Sequence, residues 1–369
     1  MNSSDLTVNN IYLALHELAP FPLQESYDNS GVLVGALNQP VTRGLLCLDI
    51  TEDVLQEAIE KKCDVIIAHH PVVFQGIKRL NGSTSTERIV MEAIRKQIAL
   101  VAIHTNLDNM HHGVNQRIAQ RLELQHCRIL KPMQQELNLL YVYVPAEQLP
   151  QVEKAIFNAG AGNLGQYTEC GFRIQGTGSF LPEKQANPFA GTPEERWLGE
   201  EIKFEVVVPK HRISAVLKAM RASHPYEEIA YGVIPLQQST HEYGAGMLGE
   251  LATPMAETDF LRVLKQNMQV SVIRHTRLLN RNIQRVALCG GSGSFLLPEA
   301  KAAGADIFIT ADYKYHQFFD AESQLIIADI GHYESEQFTW EIIYEFLMKK
   351  FPTFALQNTT VNTNPVFYS

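Results

Sequence analysis

A chain of 369 residues, 45% hydrophobic and 19% charged, has an ordinary globular balance and room for two or three domains. Its net charge of -9, with no dense Lys/Arg run, gives no footprint for duplex nucleic acid, although a single nucleotide stays compatible as a ligand. Cys47, Cys63, Cys127, Cys170 and Cys289 are odd in number, widely spaced and without a C-x-x-C, which argues against a disulfide framework and for a reducing compartment. No apolar run approaches the roughly 18 residues of a membrane span. The N-terminus lacks a basic start followed by an apolar core, so the cytoplasm is the expected location.

In chain order, residues 44–49 (GLLCLD) predict a strand and TEDVLQEAIEKK a helix capped by Thr51. CDVIIAHH, ERIVMEAIRKQ, IALVAIHTNLD and GVNQRIAQRLE continue as strand, helix, strand, helix. These strands are near-continuous apolar runs, the pattern of strands covered on both faces in a mostly parallel sheet. The middle differs. LNLLYVYVPAEQLPQVEKAIFNAG resembles KFEVVVPKHRISAVLKAMRASH, with Val144-Pro145 matching Val208-Pro209 and Ala155 matching Ala219. Each copy reads as strand, turn, helix, with TECGFRIQGTGSF and EEIAYGVIPL as return strands. That predicts a ferredoxin-like α+β module, with the Pro/Gly/Glu-rich KQANPFAGTPEERWLGEE as a loop.

The last third returns to the first habit. RVALCGG, ADIFITAD and QLIIADIGH predict strands; FLLPEAKAAG and HQFFDAES predict helices. SEQFTWEIIYEFLMKKF predicts one long amphipathic helix, with Phe338, Ile342, Ile343, Phe346 and Leu347 at helical spacing. TTVNTNPVFYS reads as an edge strand. The simplest architecture is a split α/β domain (residues 1–127 plus 236–369) interrupted by an inserted module at 128–235.

Polar residues gather at predicted strand ends. His69 and His70 follow DVIIA, His104 and Asp108 lie in HTNLD, and His332 ends ADIGH, with Glu336 one helical turn later. In open α/β sheets ligands bind beyond the carboxyl ends of strands. Three imidazoles and two carboxylates exceed the three protein ligands of one catalytic zinc. They suit two divalent ions sharing a carboxylate and a water. The donor types accept zinc, manganese, iron or nickel. Beyond the ligands, His104 and Glu334 are candidates for moving protons. His111-His112 reads as a solvent-facing pair, Cys63 and Cys289 as small buried residues, and HPYEE (224–228) as structural. GGSGSF (290–295) could offer N–H groups to a phosphate, against the plainer reading of a tight strand-to-helix turn.

At these residues the chain resembles the Nif-three-like dinuclear metal-centre proteins, also known as GTP cyclohydrolase 1 type 2 homologues. The matching segments are SYDNSGVLVG, IIAHHPVVF, HTNLDNMHHGVN, CGGSGS, ADIGHYESE and NTNP. They span nearly the whole chain, with Tyr27 where the family often has Trp. GTGSFLPE, NPF and HPYEE resemble the insertion of longer members, itself similar to trimeric PII and CutA proteins. The resemblance implies that His70 and Asp108 hold one ion, His69 and His332 the other, and that Glu336 bridges. It places His104 behind the ligands, orienting Asp108 or the bound water, and implies a homohexamer. It implies attack of metal-activated water on the guanine ring of GTP. The residues themselves leave two alternatives: a phosphoesterase or nuclease acting on a nucleotide or small molecule, and a non-catalytic metal-binding regulatory or scaffold protein.

Overall fold

The computed structural model describes residues 6–134, 136–238 and 242–369. The chain opens with α1 (Val8–Leu18), started by a reciprocal cap between Thr7 and Asn10. β1 (Gly31–Val34) and β2 (Arg43–Cys47) follow. α2 (Glu52–Glu60) starts at Thr51, whose hydroxyl accepts from Val54 N, with Glu52 and Asp53 in the first turn. A cap of this kind contributes about 1 kcal/mol, and acids at the helix start add to it. β3 (Val65–Ala68), α3 (Ser85–Lys96) and β4 (Ala99–Ala102) come next. Every residue of β3 and β4 is buried, as their unbroken apolar runs require. β4 stops before His104, and α4 (Thr105–Asp108) is a single turn. α5 (Val114–Arg121) and β5 (Gln125–Pro132) close this section.

The middle runs β6 (Leu137–Pro145), α6 (Leu149–Asn158), β7 (Gly171–Phe180), β8 (Trp197–Pro209), α7 (Ile213–Ser223) and β9 (Tyr231–Pro235). Its sheet is antiparallel throughout, in the order β7-β8-β6-β9. Alternate residues Leu140, Val142, Val144, Phe204, Val206 and Val208 pack on Val152 and Ile156 of α6 and Val216 and Met220 of α7. Full burial of each such side chain contributes roughly 1.5–3 kcal/mol. Val144-Pro145 and Val208-Pro209 end β6 and β8, the strands that precede α6 and α7.

The chain ends with β10 (Gly244–Ala256), α8 (Glu257–Asn267), β11 (Arg274–His275), β12 (Asn282–Ser292), α9 (Leu297–Ala302), β13 (Ile307–Ala311), β14 (Ile326–Asp329), α10 (His332–Glu336), α11 (Thr339–Lys350) and β15 (Ala355–Asn358). Two expectations fail here. The long helix is broken at Gln337 and Phe338: the Gln337 amide donates to the Met268 carbonyl, and Phe338 is buried beneath the Arg121 guanidinium. The tail after Asn358 is no strand. Asn362 and Asn364 side chains accept from the backbone two residues on, which removes those N–H groups from any ladder. The strand lies just upstream, as β15 alongside β2.

The chain forms two compact units, residues 1–132 with 241–369, and residues 133–240. Residues 128–132, read from sequence as part of the insertion, belong to β5 and pair with β10. The first unit holds two mixed sheets where the sequence suggests one mostly parallel sheet. One has the order β1-β4-β3-β2-β15, with β1 alone antiparallel; the other has the order β11-β14-β13-β12-β10-β5, with only β12, β13 and β14 parallel. An apolar run reports that both faces are covered, not which way the strand points. Among the described residues, no helix is long and apolar enough to cross a membrane.

Candidate metal centre

The parallel strands of both sheets end at one cavity of about 1010 Å³. Asp49 lies two residues beyond β2, His69 and His70 directly beyond β3, and His104 two beyond β4. From the other sheet, Asp312 follows β13, and His332 lies three residues beyond β14. α10 then carries Glu336 back over the same point.

The five residues His69, His70, Asp108, His332 and Glu336 meet there. Their ligand atoms fall into groups lying within 4.8 Å that could hold a metal ion. His70 Nε2 and His332 Nε2 lie 3.0 and 3.1 Å from Glu336 Oε2, and 3.4 Å from each other. His69 Nε2 lies 3.5 Å from Asp108 Oδ1 and 3.9 Å from Glu336 Oε1. Each oxygen of Glu336 thus faces its own histidine group. In this structure His70 stands beside His332, and His69 beside Asp108, whereas the resemblance implies His70 with Asp108 and His69 with His332.

Every imidazole is held by its other nitrogen. His69 Nδ1 meets the Ile103 carbonyl at 2.9 Å, His70 Nδ1 meets Asp49 at 2.7 Å, His104 Nδ1 meets Asp28 at 2.8 Å and His332 Nδ1 meets Asp312 at 2.7 Å. An oxygen acceptor at Nδ1 places the proton there and leaves the Nε2 lone pair for the centre. His69 Nε2 and Asp108 Oδ1 are buried and have no hydrogen-bond partner among the described residues, and the buried Glu336 Oε2 is faced by the Nε2 atoms of His70 and His332. Lone pairs directed at carboxylate oxygens in a buried space call for a cation.

Protons compete with a cation for that place at two of the rings. Burial drives the His69 pKa down to about 3, so that ring stays neutral. Burial also opposes a proton on His70 and on His332, yet hydrogen bonds to Asp49 and Glu336 push His70 up to about 10, and Glu336 with Asp312 pushes His332 up to about 9. Burial likewise opposes charge on both acids. His332 and His70 nevertheless hold Glu336 well below the usual carboxylate range, while burial and the repulsion of Glu336 drive Asp108 upward. The cluster draws positive charge to the space between its rings.

His104 packs edge-on against His69 and His70, with ring centroids 5.2 Å away in both cases, and forms a third group with them. Its Nδ1 meets Asp28 at 2.8 Å, so its ring is fixed beside the two histidines by that carboxylate. Glu334 is buried and accepts from the Asn364 amide at 3.0 Å, which commits one of its oxygens to the C-terminal tail. Asp28, Asp49 and Asp312 were missed in the sequence. The signal that found the histidines also covers two of them: Asp49 closes GLLCLD and Asp312 closes ADIFITAD.

The other motifs resolve as structure. The N–H groups of Gly290, Gly291 and Gly293 donate to Asn115, Ser335 and Thr310 side chains, so the glycine loop has no free cradle for a phosphate. Gly291 instead lets Glu336 come close: a Cβ there would sit 2.4 Å from Oε1. His224 of HPYEE donates from Nε2 to the Tyr143 carbonyl and accepts the Tyr226 N–H at Nδ1. His112 is exposed as expected, but His111 is half-buried, near the Cys127 carbonyl. Cys63 and Cys289 are buried.

A family model described as Duf34/NIF3 (NGG1p interacting factor 3) matches residues 6–365. The chain belongs to the DUF34/NIF3 family. It is 39% identical over 308 residues, 83% of either chain, to the GTP cyclohydrolase 1 type 2 homolog of Bacillus subtilis. It is 30% identical over 369 residues to the protein of that name from Staphylococcus epidermidis, covering 98% of this chain and all of the other. Among solved structures, a Bacillus cereus protein related to NIF3 superposes with a TM-score of 0.86 at 33% identity, covering 99% of this chain and 100% of that one. Staphylococcus aureus protein SA1388 superposes with a TM-score of 0.75 at 28% identity, over 99% of both chains.

Proposed function

We propose that this NIF3-family chain is a dinuclear metal-dependent hydrolase of a nucleotide-like small molecule, with GTP the first substrate to test. The reading is carried by the four imidazoles tied at Nδ1 around a carboxylate that faces two ligand groups. His69, Asp108 and one oxygen of Glu336 would hold one ion; His70, His332 and the other oxygen would hold the second. Two such ions, when bound, activate a shared water and polarise a substrate oxygen. The donor set accepts zinc, manganese, iron or nickel.

The remaining roles follow from this chain's own groups. Asp28 holds a proton on His104 Nδ1 and leaves the other nitrogen able to accept one at the centre. That favours His104 over Glu334 for proton transfer. Tyr27 and Phe74, with ring centroids 6.2 Å apart, line the same cavity, and Phe74 stands 6.1 Å from the His104 ring. They offer a flat apolar wall for a heteroaromatic base. The names of the curated relatives point to GTP.

The inserted unit is read as a ferredoxin-like module of the PII and CutA type, on the support of its β-α-β-β-α-β order and its own core. The split α/β metal domain around it and a homohexameric assembly complete the proposal, and sedimentation equilibrium tests the assembly.

Elemental analysis of protein purified without added metal tests the centre. About two divalent ions per chain are expected, with loss in Asp108→Ala and Glu336→Ala. No metal, even after reloading with zinc or manganese, overturns the proposal. A formamidopyrimidine product from GTP supports ring opening, whereas inorganic phosphate or nucleotide fragments place the chemistry in the phosphoesterase class. Full metal occupancy without turnover leaves the regulatory reading.

A further inference from the structure

The inserted unit contains a cavity of about 720 Å³ beside the β7–β8 hairpin. Four aromatic rings line it: Tyr143, Phe180, Phe189 and Tyr226. Phe180 stands edge-on to Tyr226 with centroids 6.1 Å apart, and Phe189 lies 6.1 Å from the same ring on a tilted plane. Phe180 is backed by Trp197, stacked at 4.7 Å. Phe189 is 54% exposed, a large ring left open to the cavity and solvent.

One carboxylate is set among these rings. Glu201 is only 8% exposed and lines the cavity. Its Oε1 accepts the Tyr226 hydroxyl at 2.8 Å, and among the described residues no cation pairs with it. Diagonally across from it, β7 carries Gly178, where a Cβ would fall 1.9 Å from Glu201 Oε2. The glycine is therefore what lets the carboxylate occupy this place. Glu227 and Glu228 add negative charge at the lining. The lysine on the lining, Lys203, is committed elsewhere: its ammonium lies 2.7 Å from Glu205 and 4.9 Å from the Tyr141 ring centroid.

A carboxylate so deeply buried, with one neutral donor, is costly unless a positive group completes it. Aromatic faces attract cations through their quadrupoles. We propose that this cavity binds a small organic cation, an alkylammonium or guanidinium, with its charged head on Glu201 and its carbon skeleton against Phe180, Phe189 and Tyr226. Nothing in this proposal depends on the metal centre.

Calorimetric titration of the full-length, metal-loaded protein tests it. The probes are 1,4-diaminobutane, guanidinobutane and tetramethylammonium, with uncharged 1,4-butanediol as the control. At least one cation binds saturably, and the diol does not. Glu201→Gln weakens that binding by about tenfold or more, and Phe189→Ala weakens it by several-fold. Glu336→Gln, in the other unit, leaves it unchanged. Phe189→Ala alters a largely exposed side chain, so it remains informative if Glu201→Gln disturbs folding. The proposal is overturned if no probe binds at millimolar concentration, if the diol binds as well as the cations, or if both cavity variants bind like wild type.

Discussion

At the residue scale, the behaviour of the centre is set by groups that would never touch a metal. Asp49 and Asp312 each fix one imidazole through Nδ1, at 2.7 Å in both cases. Their side chains are 36% and 50% exposed, so changing them leaves the core intact. Asp49→Ala and Asp312→Ala remove the acceptor and free the rings of His70 and His332 to rotate. Each should weaken metal binding by about 10–100-fold while preserving the circular dichroism spectrum. Chelator competition measures the affinity, and wild-type values in both variants would remove the oriented-imidazole argument. Gly291→Ala acts from the opposite side by pushing on Glu336 Oε1. It should cost metal from both ligand groups at once, because that carboxylate faces both. The proposed ligands stand out in the sequence because His-His and His-x-x-x-Glu at strand ends are unusual chemistry for such positions. Asp49 and Asp312 share the strand-end position but not the rarity, since an acid closing an apolar strand is common and its partner lies in a different strand.

At the element scale, the C-terminal tail is tied to α2 by one carboxylate. Glu57 accepts from Thr360 N at 2.9 Å, from Thr360 Oγ1 at 2.7 Å, from Lys61 Nζ at 2.7 Å and from the Thr359 hydroxyl. Further on, Thr363 bonds Asp49 and Asn364 bonds Glu334, so the tail runs along the cavity wall. Burial opposes the charge on Glu57, but those donors outweigh it and hold its pKa at about 2, below the ordinary 4.5. A carboxyl depressed on folding stabilises the native state above its unfolded pKa and loses that contribution as pH falls through its folded one. Glu57→Gln should therefore cost on the order of 1–3 kcal/mol at neutral pH. In urea titrations the gap between wild type and variant should narrow as the pH is lowered from about 4.5 toward 2. A gap independent of pH would mean that the tail is held by packing rather than by this charge. The buried helices and strands were readable from periodicity and apolar runs. The tail was not: its Asn and Thr residues satisfy their own backbone and borrow an acid some three hundred residues away, which no local pattern records.

At the scale of the whole molecule, the proposed ligands join distant parts of one unit and leave the other unit untouched. His69, His70 and Asp108 precede the inserted segment, whereas His332 and Glu336 follow it. The inserted unit has its own core around Phe204, Leu140 and Val216. In the sequence the repeat in the middle stands out against the α/β habit on both sides, and the second compact unit occupies that segment. Strand direction and sheet number were not legible there, since they depend on which distant edges pair. Metal bound only to the native first unit adds stability by mass action, about 4 kcal/mol when free metal is a thousandfold above Kd. For a unit of this size that is roughly 10 °C in Tm. The two tryptophans fall one to each unit, Trp197 in β8 and Trp340 in α11. Trp197→Phe therefore leaves a reporter in the metal unit, and Trp340→Phe leaves one in the inserted unit. Stripping metal with a chelator should lower the fluorescence-detected transition in Trp197→Phe and leave that in Trp340→Phe where it was. Equal shifts in both would mean that the inserted unit unfolds only with its host, so that its separate core does not act as a separate cooperative unit. No shift in either would remove the metal from the stability of the fold, and with it the claim that these five side chains are held together around ions.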